Sequence, residues 1–308
     1  MAKRAVLIGI NKYQVPGSDL NGCVNDVKNL SGVLKTYYGF TDKDITTLTD
    51  LKATKKAMQA AIEKLIKGGK KGDTLLLHYS GHGSNVPDDN GDEADHRDEI
   101  LCPTDLDWND TLRDDWLRKT FDKLRAGVSL TVIMDCCHSG TNTRAILPPD
   151  APVRERFLPC PLDLMATESG RKLRGTLRGQ LGKAPRGRKR KSDIVHADIQ
   201  EMLITGCRDT QTSADAHIGG TYNGALTYYL VESIKDAGGK LTYRELHQRT
   251  AAKLNGSPVH QSGPSVEHIN KPSGIPTIRH PGSLDATTPP YLTQRRIRPP
   301  NTARNPSP

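Results

Sequence analysis

The stretch Ile133-Met134-Asp135-Cys136-Cys137-His138-Ser139-Gly140 is an apolar run that stops abruptly at a thiol. An upstream run, Asp73-Thr74-Leu75-Leu76-Leu77-His78-Tyr79-Ser80, stops in the same way at Gly81-His82-Gly83-Ser84. We interpret both runs as buried strands that deliver His82 and Cys137 to their carboxyl ends. A histidine beside a thiol is the minimum equipment for a cysteine nucleophile with its base.

The first 140 residues alternate strand-like and helix-like segments around these two runs. Residues 4–10 are apolar after the first position, which is typical of a strand buried on both faces. Apolar residues then recur at helical spacing over 24–34. Repeated strand–helix alternation predicts an α/β fold, with a mostly parallel central sheet flanked by helices on both faces.

We predict four parts along the chain: a large catalytic part (1–140), a flexible basic linker (141–196), a small part that completes the sheet (197–280) and a Pro-rich disordered tail (281–308). In the small part, residues 201–207 form an apolar strand. Helices are predicted over 222–237 and 241–254, and a last short strand near 265–268.

Composition indicates an intracellular protein with free thiols. The 308 residues carry a net charge of +9, and the six cysteines show no Cys-x-x-Cys spacing. No N-terminal apolar leader and no run of about 18 apolar residues occurs. We therefore expect a cytoplasmic location and no membrane contact.

Strand alternation separates the two adjacent thiols. Residues i and i+2 of a strand face the same way, so Asp135 and Cys137 share a face and Cys136 points to the other. Cys137 is therefore the predicted nucleophile, and Cys136 a packing residue. The alternation also disfavours a zinc site built from Cys136, Cys137 and His138, because consecutive strand residues diverge.

This pattern predicts acyl transfer, in which Cys137 attacks a peptide carbonyl and His82 moves the protons. The N–H groups of Gly83 and Cys137 are the candidate oxyanion donors, since a glycine lets its backbone approach the substrate closely. The competing interpretation is that either side chain, taken singly, is ordinary packing.

Five segments, 5–11, 20–26, 79–84, 135–140 and 206–215, resemble the metacaspase and bacterial caspase-like (orthocaspase) family of cysteine peptidases. The resemblance implies a caspase-hemoglobinase-like fold, a His82/Cys137 dyad and cleavage after Arg or Lys instead of Asp. It also implies the residues of the S1 pocket, which are Cys23, Asp26, Ser80 and Asp135.

The implied specificity agrees with the charges in that pocket. Two carboxylates, Asp26 and Asp135, would bind a guanidinium and repel an acidic P1 side chain. For Asp26 another interpretation stays open, namely a charge that stabilises a helix N-terminus.

The resemblance also implies a calcium site at Asp98, Asp114 and Asp115. Its fourth acid is not matched, because Thr143 and Arg144 occupy that region. Exchanging a carboxylate for a cation should weaken calcium binding sharply. We therefore expect no required cofactor.

The linker contains ten Lys or Arg and no acid over 171–191. Such a segment is a ready substrate for an enzyme that cuts after basic residues. The candidate processing residues are Arg174, Arg178, Arg186, Arg188, Lys189, Arg190 and Lys191. An anionic-surface or nucleic-acid contact, and a merely solvated linker, are the alternatives.

Together these features predict a monomeric cysteine endopeptidase that acts on polypeptides after Arg or Lys. The absence of aromatic residues among the linker cations speaks against nucleic acid as a specific partner. The alternative function is a catalytically silent caspase-like signalling scaffold.

Overall fold

A computed structural model describes residues 1–87, 97–137, 153–161, 201–205 and 213–257. The elements of these ranges, in chain order, are β1 (Lys3–Gly9), α1 (Cys23–Tyr38), β2 (Ile45–Thr49), α2 (Lys55–Lys67), β3 (Thr74–Ser80), β4 (Gly83–Pro87), β5 (Arg97–Leu101), β6 (Leu112–Arg113), α3 (Asp114–Phe121), β7 (Ser129–Asp135), β8 (Val153–Glu155), β9 (Glu201–Thr205), β10 (Ala214–Ile218), β11 (Thr221–Gly224), α4 (Ala225–Asp236) and α5 (Tyr243–Asn255).

The central sheet is parallel throughout the described residues. Its strand order is β2-β1-β3-β7-β9. Strands β3 and β7 are neighbours in register, with Ser80 opposite Asp135 at their carboxyl ends. Strand β9 lies beyond the basic linker in sequence but pairs with β7, so both sides of the linker contribute to one sheet.

Helices cover both faces of this sheet, because its strands are apolar on both sides. In β1, Val6 and Ile8 pack into one core cluster, which includes α2 and part of α3. Ala5 and Leu7 pack into the other cluster, against α1, α4 and α5. The predicted α/β class and helix-covered parallel sheet are confirmed.

Local signals explain several element ends. Thr54 begins α2 by accepting a hydrogen bond from the Ala57 N–H at 3.2 Å. Thr242 and Glu245 form a reciprocal capping box at the start of α5. Gly39 ends α1 in the left-handed region, with φ 64°, which glycine adopts at little cost.

The predicted helix over 222–237 is wrong at its start. Residues Thr221–Gly224 form β11, which pairs antiparallel with β10, and the helix begins at Ala225. Gly219 and Gly220 permit the tight turn between the two strands, with φ of 64° and 85°. The predicted strand near 265–268 and the tail lie outside the described residues.

Two smaller sheets lie beside the central one. Strands β4, β5 and β6 form an antiparallel sheet directly after the His82 motif. Strands β8, β10 and β11 form the other, in which β8 comes from the predicted linker. Within the described ranges, no helix has the length and apolar character that a membrane crossing requires.

Candidate active site

His82 and Cys137 lie just beyond the carboxyl ends of adjacent strands. The Ser80–Asp135 register of β3 and β7 brings the two following segments side by side. The Gly81 N–H donates to the Asp135 carbonyl at 3.4 Å, which continues the pairing past the strand ends. Both side chains are buried. This edge of a parallel sheet is where ligands usually bind.

The hydrogen bonds of His82 define which of its nitrogens can accept a proton. Its Nε2 lies 2.8 Å from the Ser18 carbonyl oxygen, which can only accept, so Nε2 carries the hydrogen. Nδ1 then holds the lone pair, and it is buried without a hydrogen-bond partner among the described residues. Burial lowers the pKa of His82 to about 4, so the ring is neutral near pH 7.

Tyr13 supports this histidine from one side. Its ring centroid lies 4.9 Å from that of His82. Its hydroxyl also accepts the His82 backbone N–H at 2.8 Å. These contacts hold the imidazole in place while its Nδ1 stays available.

The two neighbouring thiols lie in different environments. Cys136 packs in the core cluster with Met134 and Val132. The Cys137 thiol instead meets the backbone of Ser213, where it lies 3.4 Å from the carbonyl oxygen and accepts the N–H. The two side chains therefore lie in different environments, as strand alternation predicts.

Two backbone N–H groups converge on one carbonyl oxygen next to Cys137. Gly83 and Cys137 both donate to the oxygen of Arg156, at 2.9 and 3.2 Å. Paired N–H donors of this kind are the arrangement that stabilises a developing oxyanion. The two predicted donors are thus brought together on a peptide carbonyl of the chain itself.

The side chain of Arg156 is fully buried among acids. Nη2 lies 2.9 Å from Asp26 and 3.1 Å from Asp215, and Nη1 lies 3.3 Å from Asp135. Nη1 also donates to the Ser80 hydroxyl at 2.7 Å. Three carboxylates and a hydroxyl therefore surround one guanidinium.

Cys23 completes the set of predicted pocket residues. It is fully buried at the first position of α1, close enough to Arg156 for the guanidinium to oppose the effect of burial on the pKa of its thiol. Burial raises the pKa of Cys23 well above its usual value, so it lines the pocket as a neutral thiol. All four residues that the resemblance implied, Cys23, Asp26, Ser80 and Asp135, are gathered here.

Backbone and hydroxyl donors fix the carboxylates in place. Asp135 accepts the N–H and hydroxyl of Thr227, at 2.9 and 2.7 Å. Asp26 accepts the Gly224 N–H at 2.9 Å. Hydrogen bonds of this kind favour the charged form of a carboxylate and fix its orientation.

The pKa values of the two predicted pocket acids shift in opposite directions, although burial raises both. It raises the pKa of Asp26 to about 7, against the opposing effect of the Arg156 guanidinium. Burial also raises the pKa of Asp135, but Arg156 and hydrogen bonds from Ser213 and Thr227 outweigh it. The pKa of Asp135 therefore lies below its ordinary value, and this side chain stays charged near pH 7.

Comparisons with known proteins identify the family of this chain. A family model described as "Metacaspase, peptidase C14 domain" matches residues 3–145. Metacaspase-1B of Aspergillus fumigatus is 34% identical over 287 residues, covering 86% of this chain and 70% of that protein. The chain belongs to the metacaspase family. Metacaspases are cysteine-type peptidases, so the enzyme class predicted from the sequence is confirmed.

Other relatives extend the comparison. Metacaspase-1 of Pyricularia oryzae is 35% identical over 276 residues, which cover 79% of this metacaspase and 66% of that protein. A crystal structure of a protein from Geobacter sulfurreducens has 29% identity and a TM-score of 0.61, covering 88% of this chain and 95% of that one. Caspase-1 of Spodoptera frugiperda has 17% identity and a TM-score of 0.51 over 86% and 84% of the two chains, and it shows the shared fold.

Sequence reasoning missed one acid of the pocket. Asp215 lies in the segment 206–215 that carried the resemblance, but it was not assigned to the pocket. Its carboxylate accepts the N–H groups of Asn21 and Gly22, at 2.8 and 2.9 Å, and reaches Arg156 from β10. An acid at the start of a strand has no local signature of such a role.

Gly224 is a further contributor that only the structure reveals. A Cβ at this position would collide with the Asp135 carboxylate and the Arg156 guanidinium. Glycine therefore keeps the pocket wide enough for the charged groups to meet.

The acids of the implied calcium site are paired with cations instead of with one another. Asp98 pairs with Arg113, and Asp114 lies 3.3 Å from Arg118. Asp115 lies 3.0 Å from Arg118 and 3.1 Å from Lys119. Across the described ranges, no three acidic, His or Cys side chains are grouped so as to hold a metal. In this arrangement the three carboxylates face cations, and the expectation that no cofactor is required stays a prediction.

The predicted processing residues between 171 and 191 lie outside the described residues, as does Cys207. The prediction that the linker is processed there stays a prediction.

Proposed function

We propose that this metacaspase is an endopeptidase that cleaves after Arg or Lys through the His82/Cys137 pair. One observation carries the proposal: the guanidinium of Arg156 lies among Asp26, Asp135 and Asp215 while its carbonyl oxygen meets the Gly83 and Cys137 N–H groups. The side chain of a basic P1 residue would need the acidic surroundings, and its scissile carbonyl would need the paired N–H donors, at the separation that Arg156 spans.

The chemistry follows from the atoms at the site. Nδ1 of His82 takes the thiol proton, and Sγ of Cys137 attacks the carbonyl carbon of the P1 residue. The N–H groups of Gly83 and Cys137 stabilise the oxyanion. His82 returns the proton to the leaving amine, and water then hydrolyses the thioester and regenerates the thiol.

The pocket should prefer Arg over Lys and reject Asp. The planar guanidinium reaches separate acceptors with both terminal nitrogens, whereas an ammonium is a single point of charge. An acidic P1 side chain would face three carboxylates in a buried site, where like charges repel strongly.

A panel of fluorogenic peptides that differ only at P1 tests this specificity. We expect kcat/KM to be highest for the Arg peptide and lower for the Lys peptide, with no detectable cleavage of the Asp peptide. Rates should be equal in calcium and in chelator, because a calcium ion at Asp98, Asp114 and Asp115 would first have to displace their cationic partners.

Three outcomes would contradict parts of this proposal. Cleavage after Asp would contradict the pocket assignment, and strict calcium dependence would contradict the cofactor expectation. A protein silent on every peptide after prolonged incubation would favour the catalytically silent scaffold.

Asp26 should make the cleavage of Arg peptides pH-dependent near neutrality. Its carboxylate loses its charge as the pH falls through about 7, whereas His82, with a pKa of about 4, stays neutral there. Because the pKa of Asp26 includes the effect of the Arg156 guanidinium, it describes the occupied pocket, so we expect kcat for Arg peptides to fall as the pH is lowered through about 7. In Asp26→Asn this acid limb should disappear, with a lower plateau.

The matched control is Asp73→Asn. Asp73 is a buried acid that pairs with Arg4 at the amino-terminal ends of β3 and β1, away from the ends that carry the site. This variant should retain the wild-type profile. If the pH profile of Asp26→Asn fell at low pH at the same position as that of the wild type, the titrating group would not be Asp26.

A further inference from the structure

We propose that residues 153–158 are an intramolecular substrate, in which Arg156 is the P1 residue of a bond, Arg156–Phe157, that this metacaspase cuts in its own chain. The intact chain then blocks its own pocket until that bond is cut. The inference rests on the proposed function and adds to it the identity of the first substrate.

The backbone before Arg156 is bound as an added strand. Strand β8 pairs antiparallel with β10, with Glu155 opposite Ala214 and Val153 opposite Ala216. The Arg156 N–H continues this pairing by donating to the Ser213 carbonyl at 2.9 Å. Strand addition to a sheet edge is a common way for a protein to hold an extended peptide.

The backbone after Arg156 is held as well. Phe157 forms a bridge with Gly83, and the Leu158 N–H donates to the Gly83 carbonyl at 2.9 Å. Gly83 therefore binds the chain on both sides of the Arg156–Phe157 bond, through its carbonyl and through its N–H. A peptide fixed on both sides of one bond is held for reaction at that bond.

A structural ion pair would account for only part of this geometry. Burying the Arg156 guanidinium requires carboxylate partners, and Asp26, Asp135 and Asp215 supply them. That requirement does not explain why the carbonyl of the same residue accepts the N–H groups of both Gly83 and Cys137. Substrate binding accounts for both observations.

The proposed step needs only water as co-reactant. Sγ of Cys137 forms a bond to the Arg156 carbonyl carbon, and the bond from that carbon to the Phe157 nitrogen breaks. The Phe157 amine leaves with the proton that His82 took from the thiol. Water then hydrolyses the thioester, which releases a carboxylate at Arg156 and restores the thiol.

Fragment analysis of the full chain tests the proposal. Purified wild-type protein is incubated, and its fragments are identified by N-terminal sequencing and intact mass. We expect a fragment that begins Phe157-Leu158-Pro159-Cys160, and none in Cys137→Ala or Arg156→Gln. Arg156→Lys should still yield this fragment, because lysine is also a basic P1 residue. Cleavage of this variant would show that a substitution at position 156 does not by itself prevent the reaction.

Arg154→Gln is the matched control, because Arg154 lies two residues upstream on the same strand and its Nη1 donates to the Asp19 carbonyl. It should yield the same fragment as wild type. Thermal melting of each variant separates a lost cleavage site from a lost fold.

The kinetics distinguish cleavage within a molecule from cleavage between molecules. We expect a first-order rate that is independent of protein concentration. Full-length Cys137→Ala mixed with active enzyme should stay uncut at Phe157, since its own cleft shields that bond. Peptide hydrolysis by fresh wild type should begin with a lag that matches fragment release, whereas Arg156→Gln, which stays uncut, should remain slow throughout.

Failure of this inference is distinct from failure of the proposed function. Hydrolysis of Arg peptides without any chain that begins at Phe157 would overturn the inference and leave the proposed function intact. Cuts confined to residues 171–191 would do the same and would support the linker prediction. The absence of both peptide hydrolysis and fragments would overturn the two together.

Discussion

Cys137→Ala should abolish peptide hydrolysis, with kcat lowered by about 10⁴-fold or more, as expected when a covalent nucleophile is removed. The thiol supplies the atom that bonds to the substrate, and no water held by the remaining groups replaces that step. The measurement is the hydrolysis rate of an Arg peptide by equal concentrations of purified wild type and variant.

Cys136→Ala is a close control for this experiment. Cys136 is the adjacent residue and is also buried, but it packs in the apolar core with Met134. Its loss should cost a modest amount of stability, about 1 kcal/mol for a small apolar truncation, and should leave kcat nearly unchanged. If Cys136→Ala were inactive and Cys137→Ala active, the assignment of the nucleophile would be reversed.

Asp135→Ala should lower kcat/KM for Arg peptides by at least about 100- to 1000-fold. Removing one partner of a buried ion pair costs about 3–5 kcal/mol, and each 1.4 kcal/mol corresponds to about tenfold. Asp135 keeps its charge because Arg156, Ser213 and Thr227 together outweigh its burial. It is therefore the pocket acid whose charge is present throughout the working pH range.

The loss should be specific to the charge of the substrate. Asp135→Asn keeps the size of the side chain and should also lose cleavage after Arg, while both variants melt cooperatively. Asp73→Asn, which changes a buried acid outside the pocket, should retain cleavage. Retained cleavage after Arg in Asp135→Ala would exclude Asp135 from the pocket.

Much of this architecture could be predicted from local patterns. Apolar runs that stop at His82 and Cys137 indicated buried parallel strands, because only such strands are apolar on both faces. The period of two separated Cys136 from Cys137. The helical spacing over 24–34 indicated helix α1, whereas β11 was missed, because its four residues lead directly into helix α4.

The pocket residues that sequence reasoning missed share one property, which is that their partners lie far away along the chain. Asp215 meets the backbone of Asn21 and Gly22 nearly two hundred residues earlier in sequence, a separation of 194 and 193 positions. Gly224 matters only because Asp135 and Arg156 approach it. No window of neighbouring residues contains that information.

The sequence by itself determined the strand and helix pattern, the two strand-end motifs and the family, because each is encoded in neighbouring residues or their spacing. Only the tertiary structure decided which arginine the acidic pocket holds. The basic tract at 171–191 drew attention as a processing segment through its composition, yet the described pocket is filled by Arg156. Which arginine fills the pocket depends on how β8, β10 and the ends of β3 and β7 meet in space. These segments are far apart along the chain, so the composition of any one of them does not reveal the contact.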